Sequence, residues 1–503
     1  MKILLHGLNF SPEEIGIGKY SGEMVAELAA AGHEVVVVTT PPYYPRWKIG
    51  DGYSGMAYRR EELRAASCEQ LDEEKLVASG DPLVEGNAVD PPSSHSQLAT
   101  RNLDLASRNS RLATGRPTTV IRCPLWVPGK VTGLKRVIHL ASFGLSSIPV
   151  VLWKAISFRP DVVLTVEPAA MCMPTTWIAS RLCGAKCWLH VQDFEVDAAF
   201  ELGILKQPIL KRMVLSVEAF LMRRFDRVSS ISPNMLLKLV QKGVDEKRVV
   251  SFPNWVDCDA MKPLLWPGEV LEGKGSALRE KQVVTDGSVS ERSARERMDA
   301  LRSEFQIPAE KVVALYAGNI GSKQGLELIV EAAKNAANSS LHYVICGTGA
   351  SYDCLAEACQ PLTNVQMLPV QPFEKFNDLM NCADIHLLPQ KAGAADLVMP
   401  SKLTGMLATG RPVVACASRG TQIADVTSGR GMVVAPDDAV AFQLAIEKLA
   451  EDPALRVTLG KAAREYAVEH LSQESILGQF MEDLADLRDE SCVATERMEP
   501  VGT

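Results

Sequence analysis

Apolar positions along the chain fall into two kinds of run. Lys2–Gly7 and Glu34–Thr40 are short, continuous and apolar on both faces, the pattern of buried strands. Between them Tyr20, Met24, Ala26, Leu28 and Ala31 recur at helical spacing, and Gly32 ends the series. Further strands are predicted at Thr118–Cys123, Asp161–Val166, Lys186–Val191 and Arg227–Ile231. Continuous apolar strands alternating with helices predict a parallel sheet covered on both faces. The alternation then restarts. Strands at Val312–Ala317, His342–Cys346, Val365–Leu368, Ile385–Leu388 and Pro412–Ala415 alternate with helices at Gly325–Ala337, Ser351–Cys359, Pro372–Cys382 and Ser401–Ala408. The expected fold is α/β, with two Rossmann-like doubly wound domains, 1–257 and 258–490, and a tail at 491–503. The carboxyl ends of the two sheets are expected to face a cleft, where such folds bind ligands.

Two segments break the pattern. Glu61–Gly115 holds ten acids, five bases and no aromatic residue, and Gly268–Ala300 is similarly polar. Neither buries enough apolar surface to offset chain entropy, so both are expected to be insertions, disordered or loosely helical. Their removal from 503 residues leaves a length suited to two α/β domains. Arg136–Ile156 is the most membrane-like stretch, but His139, Pro149 and Lys154 interrupt it, and it reads as a buried helix pair.

Composition narrows the function classes. A net charge of −8 argues against a nucleic-acid partner. The 12 cysteines include no CxxC pair and do not cluster with the eight histidines, which predicts reduced thiols and no metal site. The segment MKILLHGLNFSP is too short in apolar residues for a signal-peptide core, so a cytoplasmic location is expected.

Five motifs carry candidate chemistry. In SPEEIGIGKY, Gly16 and Gly18 precede a helix, where backbone amides can approach an anion; a packing turn is the plainer alternative. In WLHVQDF, His190 and Asp193 end a buried strand and either orient a hydroxyl or serve as a core histidine and a loop cap. In YAGNIGSKQGL, Lys323 stands at a helix start, where a cation is disfavoured unless it meets an anion; a solvated lysine is the alternative. Gly347 and Gly349 of CGTGA line a parallel strand end. In DLVMPSKLTGMLATGRPVVA, Pro400 opens a helix whose first turn, Ser401, Lys402, Leu403 and Thr404, presents amides, hydroxyls and a charge in a diphosphate-shaped arrangement.

Together with ISPNM and FPNWVD, these motifs resemble the GT-B glycosyltransferases of family 4, of the colanic-acid exopolysaccharide type. The resemblance implies a retaining transfer of sugar from a nucleotide-sugar donor to a glycan acceptor, with no metal and no cofactor. It implies an acceptor-side N-terminal domain and a nucleotide-binding C-terminal domain whose final helix packs back on the first. Gly16, Gly18, Gly318, Asn319, Lys323, Gly347, Gly349, Asp396, Ser401, Lys402, Leu403 and Thr404 would bind the donor. His190, Asp193 and Lys323 would serve catalysis. Two departures stand out: Asn319 replaces a common arginine, and Leu397 and Gly405 replace a pair of glutamates, the second of which usually holds the ribose. A basic amphipathic stretch, Lys206–Arg224, fits contact with the inner face of the plasma membrane and a lipid-linked acceptor, or else a domain helix with charged ends. A sugar-nucleotide epimerase and a catalytically silent sugar-nucleotide binder are the competing readings.

Overall fold

The structure is a computed structural model that describes the chain outside residues 14–15, 64–116, 130–132, 169, 195–207, 265–290, 322, 337–339, 392–400 and 497–503. Two compact units emerge. The first gathers Met1–Ile231, Leu236–Phe252 and Leu477–Thr503, and the second Ser232–Met235 and Pro253–Ile476.

The first unit is built on strands β1 (Lys2–Gly7), β2 (Glu34–Thr39), β3 (Arg59–Leu63), β4 (Thr118–Arg122), β5 (Val162–Glu167), β6 (Lys186–Val191), β7 (Arg227–Ser230) and β8 (Val249–Ser251). Their order is β3-β4-β2-β1-β5-β6-β7-β8, parallel except for β3 against β4. Ile3 of β1 lies opposite Val35 on one side and Val162 on the other, so β1 is a central strand, and helices on both faces of the sheet make it apolar on both. The chain steps one way from β1 to β2 and the other way from β4 through β5 and β6 to β7. With right-handed crossovers, α1 (Ile17–Ala30) covers one face. On the other face α2 (Gly133–Phe158), α3 (Met173–Cys183) and α4 (Pro208–Met222) lie side by side, α3 packing between its neighbours. The strand order reverses between β1 and β5, which makes their carboxyl edge the switch point of this sheet. The last helix, Gln473–Glu496, covers the α1 face. Its Phe480 stacks on Phe252 at 4.4 Å and meets the edge of Trp188 at 5.1 Å.

The second unit has strands β9 (Val312–Ala317), β10 (Leu341–Cys346), β11 (Val365–Leu368), β12 (Ile385–Leu388), β13 (Val413–Cys416) and β14 (Gly431–Val434). All are parallel, in the order β11-β10-β9-β12-β13-β14, with the switch point between β9 and β12. Alternate residues of β9 feed two separate cores: Val313 and Leu315 one face, Ala314 and Tyr316 the other. After helix α5 (Pro233–Gln241), which the two units share, the covering helices are α6 (Glu291–Glu304), α7 (Glu327–Asn335), α8 (Tyr352–Cys359), α9 (Phe373–Cys382), α10 (Ser401–Ala408), α11 (Gln422–Thr427), α12 (Ala439–Glu451) and α13 (Pro453–His470). The closing helix of the first unit is then α14.

Three sequence expectations change. The start of the first polar segment is structured: Glu61 lies on β3 and accepts a 3.0 Å bond from Arg122, which also donates to Thr40 O and Ser11 O. Arg122 is 1% exposed, so it joins three connections from inside the fold. In the second segment, 268–290 lies outside the described residues, but 291–300 opens α6. Its Leu301 and the Phe305 that follows it pack on the core, and its Arg302 donates to Asp384 at 2.7 Å and to Cys382 O. The end of the polar segment is thus the first part of a helix whose core contacts begin at Leu301, just beyond it. Finally, the stretch around Pro149 is one continuous helix, α2, not a pair, and much of it is exposed. A proline removes one intrahelical bond without ending a helix whose inner side is packed.

Candidate functional site

In the second unit, the carboxyl edge at the β9/β12 switch point is made of backbone. Gly318 N donates to Cys346 O at 2.9 Å, Ile320 N to Thr348 O at 2.8 Å and Ser351 N to Ile320 O at 3.0 Å, so the loops after β9 and β10 are zipped together. This closeness is why glycine stands there. A Cβ on Gly347 would lie 1.9 Å from Gly318 O, and one on Gly349 would lie 2.2 Å from Ile320 O. The Asn319 side chain lies across the same loops, its oxygen 2.7 Å from where a Gly349 Cβ would be, and the residue is exposed.

Beneath this edge lies a half-buried cation. Lys402, in the first turn of α10, sends its Nζ to the Tyr316 hydroxyl at 2.6 Å and over the Tyr316 ring at 4.6 Å. The Tyr316 hydroxyl in turn donates to Asn319 O at 2.6 Å. A Cβ on Gly318 would be 2.6 Å from Lys402 Cε, so the loop rests directly on the lysine stem. Burial lowers the Lys402 ammonium from 10.5 to about 8. Tyr316 is fully buried, and burial raises its phenol. Sequence reasoning included Tyr316 in a motif but gave it no role, because its partner stands 86 positions away.

The remaining residues of α10 divide. Ser401 is exposed; Leu403 and Thr404 are buried, and the Thr404 hydroxyl donates to Ser401 O. The free amides of the first turn are therefore what this helix start can offer an anion. Lys323 is exposed and in no ion pair among the described residues, while its carbonyl accepts from Lys391 N at 3.4 Å, just past β12. Gln390, also past β12, holds a buried side-chain oxygen without a partner among the described residues. Asp396 lies outside the described residues. Gly405 is not required by space: a Cβ there would meet only Met261 Cε, at an ordinary 3.7 Å. Gly405→Ala is thus expected to stabilise α10 by about 0.5–1 kcal/mol, read as a higher melting midpoint.

In the first unit, the β1–α1 connection carries Gly16 and Gly18. Gly16 caps α1 with φ 66° and is exposed. Gly18 is buried, and a Cβ would fall 2.6 Å from Glu13 Oε2, so its role is close packing. Glu13, 5% exposed, accepts from Asn9 Nδ2 and from the amides of Tyr43 and Tyr44. Burial pushes its carboxyl upward, and those donors pull it back. His190 is 3% exposed. Its Nε2 accepts from Gln192 Nε2 at 3.0 Å, so the ring carries its proton on Nδ1, 2.9 Å from Ser229 Oγ. Burial lowers its pKa to about 3, which keeps it neutral. With both nitrogens engaged, the ring holds the strand end rather than a mobile proton. Asp193 follows, half-buried.

Comparison with known proteins adds to this geometry. Residues 297–466 match the family Glycosyl transferases group 1, and residues 92–255 match the Glycosyl transferase 4-like domain. Over 493 residues, 96% of this chain and 100% of the relative, the sequence is 35% identical to WcaI of Escherichia coli (strain K12), a protein assigned to colanic acid biosynthesis as a glycosyl transferase. Among solved structures, sucrose-phosphate synthase from Thermosynechococcus elongatus matches with a TM-score of 0.62 at 16% identity, covering 97% of this chain and 99% of that one. Anabaena Alr3699/HepE in complex with UDP matches at 0.58 and 14%, covering 97% and 100%. At such identities the likeness is one of fold.

Proposed function

Since the chain belongs to the GT4-like, group 1 glycosyltransferases, we propose that it moves a sugar, with retention of configuration, from a nucleotide-sugar donor to a glycan hydroxyl in the assembly of a cell-surface polysaccharide. The observation that carries the reading is the zipped, glycine-lined edge over Lys402 at the switch point of the second sheet. Relatives of the same fold hold UDP and UDP-glucose, which supports a nucleoside-diphosphate leaving group.

As the sugar–phosphate bond breaks, negative charge grows on the diphosphate. Lys323 would meet it from solvent, the first-turn amides of α10 along the helix axis, and Lys402 through the low-dielectric layer under Gly318. The departing phosphate would take the acceptor proton, so His190, neutral and doubly bonded, would position the strand end. Asp193 would orient the acceptor. The protein is read as a cytoplasmic enzyme working at the inner face of the plasma membrane, on a lipid-linked acceptor, with no metal.

A donor screen tests this: purified protein is incubated with UDP- and GDP-sugars, with and without chelator, and the products are resolved by mass and anomeric NMR. Chelator-insensitive transfer with retained configuration is expected. Epimerised donor, or binding without turnover, would replace the reading by one of its competitors.

Lys402 adds a proton signature. Its ammonium is lowered from 10.5 to about 8, so the folded chain loses that proton before the unfolded chain does. This group therefore favours the fold increasingly as pH rises from about 8 to 10.5, and the contribution disappears as pH falls through 8. A bound diphosphate favours the charged form again. UDP binding near pH 9 should take up a fraction of a proton, seen by calorimetry in buffers of different ionisation enthalpy, and Lys402→Met should abolish it.

A further inference from the structure

In the first unit, α2 is apolar on its outer side as well as on its inner side. Leu134, Ile138, Leu145, Trp153 and Ile156 are exposed and follow one another at helical spacing, while the buried side mixes Phe143, Val151, Ala155 and Phe158 with His139 and Ser147. A helix covering a sheet normally turns a polar side outward. The neighbours repeat the feature: Ile178 and Leu182 on α3, and Ile209, Met213, Val217 and Phe220 on α4, are exposed. These three helices hold 11 of the 24 exposed large apolar residues among the described residues, against five on the entire second unit. By length and apolarity α2 could cross a membrane, but its inner side packs on β1, β2 and α3, so it lies along the sheet with only 28% of its most apolar window buried.

Charge on this face is one-sided. The sequences of α2, α3 and α4 hold six bases, Lys135, Arg136, Lys154, Arg181, Lys211 and Arg212, and a single acid. That acid, Glu218, is buried and paired with Lys242. The helices of the opposite face, α1 and α14, hold nine acids and two bases. A chain of net charge −8 thus presents one cationic, apolar face. Trp153, with Lys154 Nζ 4.7 Å from its ring centre, pairs an aromatic body with a cation, as interfacial anchors do.

We infer that the α2–α3–α4 face of the first unit lies on an anionic lipid bilayer, with the apolar stripes of α2 and α4 entering the headgroup boundary and the flanking bases meeting lipid phosphates. This deepens the membrane-surface reading above, moving its centre from the basic stretch alone to α2, and does not depend on the chemistry of transfer.

The test floats full-length protein with phosphatidylcholine vesicles, with and without phosphatidylglycerol. Binding should require the anionic lipid and weaken with added salt. Trp153→Ser combined with Ile156→Ser, and separately Lys211→Glu combined with Arg212→Glu, should each lower partitioning about tenfold or more while melting and UDP affinity stay unchanged. The inference is overturned if the wild type ignores anionic vesicles, if neither double variant changes partitioning, or if light scattering shows a dimer that the variants dissolve without any lipid effect. Vesicle binding by a protein that binds no nucleotide would overturn the transfer reading and leave this one standing.

Discussion

Replacing Lys323 by alanine is expected to lower sugar transfer by about 10²-fold or more, the scale of losing one preorganised charge stabiliser. The side chain is exposed and in no ion pair among the described residues, so its removal leaves no packing defect. The local contact made here, Lys391 N to Lys323 O, belongs to the backbone and survives the substitution. Lys323 stands in the loop four residues before α7, an exposed cation free to meet an anion that settles on this edge. The loss should therefore fall on kcat with the melting midpoint unchanged, and arginine should restore part of it. A variant that transfers sugar at the wild-type rate would end the role assigned to Lys323.

Gly347→Ala should act in the opposite manner, through structure. The added methyl would sit 1.9 Å from the Gly318 carbonyl oxygen, a backbone atom with no rotamer to move aside. Relief requires parting the loops joined by the Gly318–Cys346 and Ile320–Thr348 bonds, the surface on which the donor is proposed to rest. We expect a loss of about 3 kcal/mol or more, at the upper end of overpacking effects, together with loss of UDP affinity. Calorimetric melting and UDP titration of the same preparation check both parts. Wild-type melting and affinity would mean that the loops open without cost.

Both substitutions were legible as positions before they were legible as mechanisms. Glycines after two successive strands were visible as motifs, and β9, β11 and β12 start and stop where their apolar runs do, because a fully buried parallel strand has few other ways to read. What escaped the sequence was everything decided across distance. Lys402 meets Tyr316, and Arg122 meets Ser11, Thr40 and Glu61, through sheet neighbours that no local spacing encodes. His190 was chosen for its chemistry and place, and only its partners Gln192 and Ser229 reveal that its nitrogens are engaged. The edge strands β3, β8 and β14 were missed because they are short and partly exposed, β3 being polar as well. For α2 the apolarity was plain, but not which side of the helix the sheet would cover.

The return of α14 to the first unit bears on how the chain is made. Translation delivers β1 through β8, then the whole of the second unit, and only then the helix that brings Phe480 against Trp188 and Phe252. On the ribosome the first unit must wait, with that aromatic pair uncovered, until the codons of α14 are read. A gene shortened at its 3′ end, or a fragment ending at residue 252, would damage the half of the molecule synthesised first.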